Sequence, residues 1–230
     1  MSLFRDFIEL FFPRNCCICG KPLVGDEKEI CLDCLFNLPE ALGAKGDDNL
    51  VARRLRGRVP LEAAYALLLF KRKNSTQTLL HQIKYKGNEQ LANIMGHQMG
   101  RDLAQNPAFN DIDIIIPVPL HPRKIRIRGY NQSLLLCKGI VDEFSRPISD
   151  NNLIRTQFTE TQTQKNREER IDNMKGVFAL RNPDALKGKH ILLVDDVITT
   201  GATTEACWRT LKTVEGLKIS IAALAITNET

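Results

Sequence analysis

The chain has 230 residues, 43% of them hydrophobic and 26% charged, with a formal net charge of +5. That length and balance suit a globular protein with one α/β domain and a small appendage. No stretch approaches the roughly 20 apolar residues of a membrane span, and the mild basicity permits a polyanionic partner without requiring one.

At the N-terminus, Leu3, Phe4, Phe7, Ile8 and Phe11 recur at helical spacing and predict an amphipathic helix. Arg5, Asp6 and Glu9 interrupt any signal-peptide core, and no small-residue cleavage site follows. The polar face lacks the Lys/Arg richness of a membrane-surface helix, so packing against the protein and a cytoplasmic location are expected. Next come Cys16-x-x-Cys19 and Cys31-x-x-Cys34, separated by eleven residues. Thiolates two residues apart on a tight turn face one ion, and two such turns complete a tetrahedral Zn²⁺ shell with no position left for chemistry. Gly20 suits the positive φ of a knuckle turn. Cys17 is a substitute ligand on this spacing, while Cys137 and Cys207 read as small buried hydrophobes.

Pro39, Gly43, Gly46, Asp47, Asp48 and Asn49 form a turn-rich stretch. It divides an N-terminal helix and zinc-binding region, residues 1–46, from an α/β domain, residues 47–230. Four arginines in residues 51–58 describe either a nucleic-acid patch or a solvated helix face without aromatics to stack bases. Strands are then predicted at 63–70, 112–118, 190–194 and 218–226, and helices at 76–84, 90–103, 132–144 and 203–214. This alternation implies a mostly parallel sheet flanked by helices, whose ligands gather beyond the carboxyl ends of the strands.

Three segments at that edge carry chemistry. After the second strand, Arg123, Lys124, Arg126 and Arg128 place four cations within six residues of a predicted loop. Arginine offers paired donors to a pyrophosphate, and Gly129 would admit close backbone approach; a solvated basic loop is the plainer alternative. Residues 155–173 are polar and almost free of aliphatics, which describes either a lid or disorder. In residues 191–203 an apolar strand ends in Asp195-Asp196, followed by Thr199, Thr200, Gly201, Ala202 and Thr203 opening a helix. Small residues let the backbone fold round an anion, with helix-start N–H groups aimed at it. The adjacent carboxylates suit the hydroxyls of a sugar and could help hold Mg²⁺. Neither a P-loop nor a dinucleotide fingerprint is present.

Residues 191–203 closely resemble the phosphoribosyl pyrophosphate motif of type I phosphoribosyltransferases. The resemblance implies ribose contacts from Asp195 and Asp196 and 5-phosphate contacts from residues 199–203. In order along the chain, Phe12-Pro13, the paired knuckles, Lys84-Tyr85-Lys86-Gly87, Pro117-Val118-Pro119-Leu120, Arg128-Gly129-Tyr130-Asn131-Gln132 and Thr159-x-x-Gln162 with Arg170-x-x-Asn173 precede it. That series resembles the ComF family, which includes the GntX-like proteins. It implies a type I phosphoribosyltransferase-like domain with an N-terminal zinc-ribbon-like region, the zinc liganded by Cys16, Cys19, Cys31 and Cys34. Phosphoribosyl pyrophosphate with Mg²⁺ is the implied ligand. Arg123, Arg126, Arg128 and Gly129 would face the pyrophosphate, and Arg155, Gln162, Arg170 and Asn173 would belong to the lid. The family also implies a role in DNA uptake, with single-stranded DNA and competence or recombination proteins as partners. No residue stands out as a general base; His81, His97, His121 and His190 are scattered.

Overall fold

A computed structural model describes residues 13–41, 49–157 and 176–228. The predicted N-terminal helix, and the 46/47 boundary with its glycines and aspartates, lie outside them. Among the described residues no helix is long and apolar enough to cross a membrane.

Four parallel strands form the central sheet: β1 (Ala64–Phe70), β2 (Ile114–Pro117), β5 (His190–Ile198) and β6 (Lys218–Thr227), in the order β1-β6-β5-β2. β5 and β6 are apolar along nearly their whole length because helices cover both faces of a parallel sheet. Ile191 to Val194 and Ile219 to Ile226 are almost without exposure. The helices of this domain are α2 (Leu50–Leu55), α3 (Ser75–Tyr85), α4 (Glu89–Ala104), α5 (Pro122–Arg128), α6 (Gln132–Glu143) and α7 (Ala202–Leu211); α1 (Leu32–Phe36) belongs to the cysteine-rich region. Asn49, Asn74, Asn88 and Asn131 cap α2, α3, α4 and α6, each side chain accepting a backbone N–H. Each such cap stabilises its helix by about 1 kcal/mol. α4 and α6 cross closely because Gly96, Gly100 and Gly139 leave backbone facing backbone; a methyl at any of them would overlap the opposite helix.

Two sequence expectations are corrected, and one pair of strands is added to them. β5 does not end at Val194 but continues to Ile198, since β6 runs on beside it and pairs Ile198 with Ile226. The acidic pair therefore lies inside the strand's last four residues. The basic loop is the helix α5, started by Pro122 with His121 as its cap and closed by Gly129 at φ +88°. Gly129 serves as a left-handed helix end, with open space around its α-carbon. The added pair is β3 (Leu153–Arg155) and β4 (Phe178–Leu180), antiparallel and apart from the main sheet. Three-residue strands are too short to show a period in sequence. This pair is the stem through which the chain leaves and re-enters around residues 158–175.

Candidate functional site

The four thiols of Cys16, Cys19, Cys31 and Cys34 converge, all within 4.8 Å of one another. The Cys19 and Cys31 sulfurs are 3.8 Å apart. That is the edge of a tetrahedron drawn around a Zn²⁺ with bonds of roughly 2.3 Å. The N–H groups of Cys31 and Cys34 point at the sulfurs of Cys16 and Cys31, both at 3.4 Å. Burial opposes ionisation of Cys16, but the neighbouring backbone N–H groups pull its thiol down to about 6. Cys17 stands outside the cluster; burial and its acidic neighbours push its thiol up. Gly20 has the expected positive φ, +74°. The donor set fits zinc.

The second site lies at the carboxyl edge of the sheet, as parallel α/β topology directs. Asp195 is buried, and its carboxylate accepts the N–H of Asp196 at 2.8 Å and the Ser133 hydroxyl at 3.5 Å. Burial, reinforced by the charge of Asp196, pushes its pKa up to about 7; the Asp196 N–H, Lys84 and Arg155 pull the other way. Lys84, at the end of α3, pairs with Asp196 at 2.9 Å.

Beyond β5 the chain turns through Thr199 and Thr200 to Gly201, which caps α7 at φ +78°. The Thr200 hydroxyl accepts the Ala202 N–H at 3.4 Å. Gly201 is required twice over: its φ is left-handed, and a methyl there would come within 2.6 Å of Leu55. The helix N-terminus behind the turn has the polarity to hold an anion.

This turn is held from outside by α2. Arg54 is buried, and its guanidinium donates to the carbonyl of Thr199 and to Thr227, whose carbonyl is at 2.7 Å. Arg58 reaches Glu205 of α7 at 3.3 Å and the Arg54 carbonyl. The arginine run at 51–58 is thus divided between roles. Arg53 and Arg56 are exposed, as either expectation required, whereas Arg54 turns inward to tie the ends of β5 and β6 together and Arg58 joins α2 to α7.

On α5, Arg123 and Arg126 are exposed, and Arg128 is half-buried with its guanidinium 5.4 Å over the Tyr85 ring and a 2.9 Å bond to Gln132. Lys124 is the residue of α5 that meets the other cations: burial, Arg155, Arg128 and Lys84 all lower its pKa. Arg155 leaves the stem strand β3 over the Phe178 ring and within the field of Asp195. Lys84 and Arg155 therefore act on the acidic pair directly, and Lys124 lies within the field of both and of Arg128. Gln162, Arg170 and Asn173 lie outside the described residues.

Ser133, Lys84 and Arg54 are the contributors that sequence reading assigned no place in the site. Lys84 stood in a noted turn, and its spacing from the acidic pair gave no sign of contact. The four histidines are accounted for locally, His81 with its ring 5.2 Å from that of Tyr85. His190 bonds Ser220 at 2.9 Å, His97 pairs with Asp142 and Glu143, and His121 caps α5.

The phosphoribosyl transferase domain family matches residues 132–230. Among curated proteins, the DNA utilization protein YhgH of Escherichia coli O157:H7 is 32% identical over 128 residues, covering 54% of this chain and 56% of that protein. Competence protein F of Haemophilus influenzae is 33% identical over 126 residues, covering 54% and 55%. The chain spans little more than half the length of these two relatives. Competence protein ComFC of Bacillus subtilis is 26% identical over 197 residues, covering 85% of this chain and 70% of that protein.

Proposed function

We propose that this ComF-family, type I phosphoribosyltransferase-like chain binds phosphoribosyl pyrophosphate with Mg²⁺ and transfers the phosphoribosyl group to an acceptor. One observation carries the reading. Two adjacent carboxylates in the last four residues of β5 are followed, after residues 197–200, by the left-handed Gly201 that starts α7. Asp195 and Asp196 would take the ribose hydroxyls and help hold the metal, while residues 199–203 wrap the 5-phosphate. Mg²⁺, when bound, supplies charge neutralisation at the pyrophosphate. The donor chemistry suits it: a carboxyl raised to about 7 beside a second carboxylate gains from a divalent cation.

Loss of pyrophosphate from C1 develops positive charge on the sugar and negative charge on the leaving group. Electrostatic stabilisation therefore matters more than a strong nucleophile in the protein. Lys124, Arg128 and Arg155 would neutralise the leaving group, with the exposed Arg123 and Arg126 further out on α5. The thiols of Cys16, Cys19, Cys31 and Cys34 would hold a structural zinc. Incubation with phosphoribosyl pyrophosphate, Mg²⁺ and a panel of purine and pyrimidine bases should release pyrophosphate with at least one acceptor. Tight binding with no release from any of them would reduce the reading to a ligand sensor.

A second reading has its own support. Tyr85 is 63% exposed with the Arg128 guanidinium 5.4 Å over its ring, and Ile127, 80% exposed, shares α5 with the exposed Arg123 and Arg126. An aromatic ring among cations suits stacked bases of single-stranded DNA, in keeping with relatives named for competence and DNA utilization. On this reading the protein is a non-catalytic module engaging single-stranded DNA or competence and recombination proteins. Single-strand affinity that barely falls with salt would count against it.

A further inference from the structure

We infer that the zinc knuckles position Lys84, so that the ligand affinity of the acidic pair depends on an appendage which contributes no ligand-binding group itself. The inference deepens the reading of Asp195 and Asp196 as ligand-binding carboxylates, and rests on it.

Lys84 stands in the last turn of α3, and the segment from there to the start of α4 is tied to the knuckles on both sides. Before it, the Gln82 amide donates to the Cys17 carbonyl at 3.3 Å. After it, the Asn88 amide donates to the Glu29 carboxylate at 2.7 Å. Both acceptors belong to loops that the metal would close. Cys17 lies between the ligands Cys16 and Cys19, and Glu29 precedes Cys31 by two residues at φ +50°. The two are joined directly, the Cys17 N–H donating to the Glu29 carbonyl at 2.8 Å. A third tether comes from the domain itself, where the Tyr130 hydroxyl donates to the Ile83 carbonyl at 2.5 Å.

Within this bracket Lys84 makes its 2.9 Å pair with Asp196, the two side chains only 18% and 14% exposed. A lysine gives up much rotamer freedom when held in one place. Here it stands in the last turn of a helix that ends in an exposed turn, with Gly87 at φ +72°. Helix ends fray readily. The knuckles supply the fixed points on either side that keep this end from fraying, and thereby keep an ammonium between two carboxylates and the path of an incoming polyanion. Without them Lys84 would have to be ordered each time the ligand arrives.

The test uses the full-length zinc protein and the variant Glu29→Ala/Gln82→Ala, which removes both tethers and leaves all four thiols. Acetylation of individual lysines is followed by mass spectrometry, with exposed Lys138 as the internal standard. Lys84 should react at least fivefold faster in the variant, with one zinc per chain retained. Glu29→Gln, which still offers Asn88 an acceptor, should stay close to the parent. Unchanged Lys84 reactivity in the double variant overturns the inference, whatever the ligand does. Calorimetry with phosphoribosyl pyrophosphate and Mg²⁺ then closes a cycle. The double variant should bind about fivefold more weakly than the parent, yet bind the same as its background when built on Lys84→Met. Equal losses in both backgrounds would also overturn the inference. Faster Lys84 acetylation in a protein that binds no ligand would leave the bracing standing and sink the ligand reading.

Discussion

The knuckles and the β5–α7 turn both look built to hold a charged species, and they are assembled in opposite ways. The knuckles take all four ligating atoms from residues 16–34, on two short loops with a few buried side chains such as Leu23 and Ile30 beneath them. The β5–α7 turn draws on the whole domain: Lys84 from α3, Ser133 from α6, Arg54 from α2 and Arg155 from the stem, arranged around two carboxylates on a buried strand. The first kind of site is stabilised chiefly by its ion, and the second by packing that exists before any ligand arrives.

Removing the metal should therefore separate the two regions most sharply. A structural zinc contributes apparent binding of about 10–16 kcal/mol. Chelation should accelerate amide exchange in residues 13–41 by orders of magnitude while residues 191–194 and 221–226 change less than about threefold. Exchange rising equally in both would show that the sheet needs the zinc.

The next effect is electrostatic and has a definite sign. The Asp195 carboxyl titrates near 7 in the fold, against 3.8 ordinarily. A raised carboxyl favours the folded state below its ordinary pKa, and that contribution is lost as pH rises from about 4 through about 7. The gap corresponds to at most roughly 4 kcal/mol. Without ligand or Mg²⁺, Asp195→Asn should melt higher than the parent at pH 8, by on the order of 5 °C, with the difference vanishing toward pH 4. A difference independent of pH would mean that the burial cost is not the cause.

Arg54→Met tests the reach of the second site. It strands the Thr199 and Thr227 carbonyls and should cost about 2–3 kcal/mol, read by denaturant melting, with weaker phosphate binding as the loop loosens. Gly201→Ala should cost slightly less, about 2 kcal/mol, from the left-handed φ and the contact with Leu55. Wild-type stability in either variant would show that the turn is held by its own residues alone.

The same contrast explains what was legible in the sequence. Metal geometry constrains ligand spacing locally, so two C-x-x-C pairs announce their cluster before any fold is known. The alternation of strands and helices was legible too, as was the string around Asp195 and Thr200, because each follows from local periodicity or composition. Lys84, Ser133 and Arg54 were not, since contact across 112, 62 and 145 positions leaves no pattern in either segment. The end of β5 was missed because its last four residues owe their strand to β6 and not to their own composition. The helix α5 was missed because seven residues with four cations read as a loop until the Pro122 start and Gly129 stop are counted together.

The claim that residues 191–203 form a phosphoribosyl pyrophosphate site is tested most directly by calorimetry with that ligand and Mg²⁺ on the parent and on Asp195→Asn/Asp196→Asn. The parent should bind saturably with one ligand per chain, and the double variant at least about a hundredfold more weakly, about 2.7 kcal/mol. No binding by the parent, or equal binding by both proteins, would contradict it.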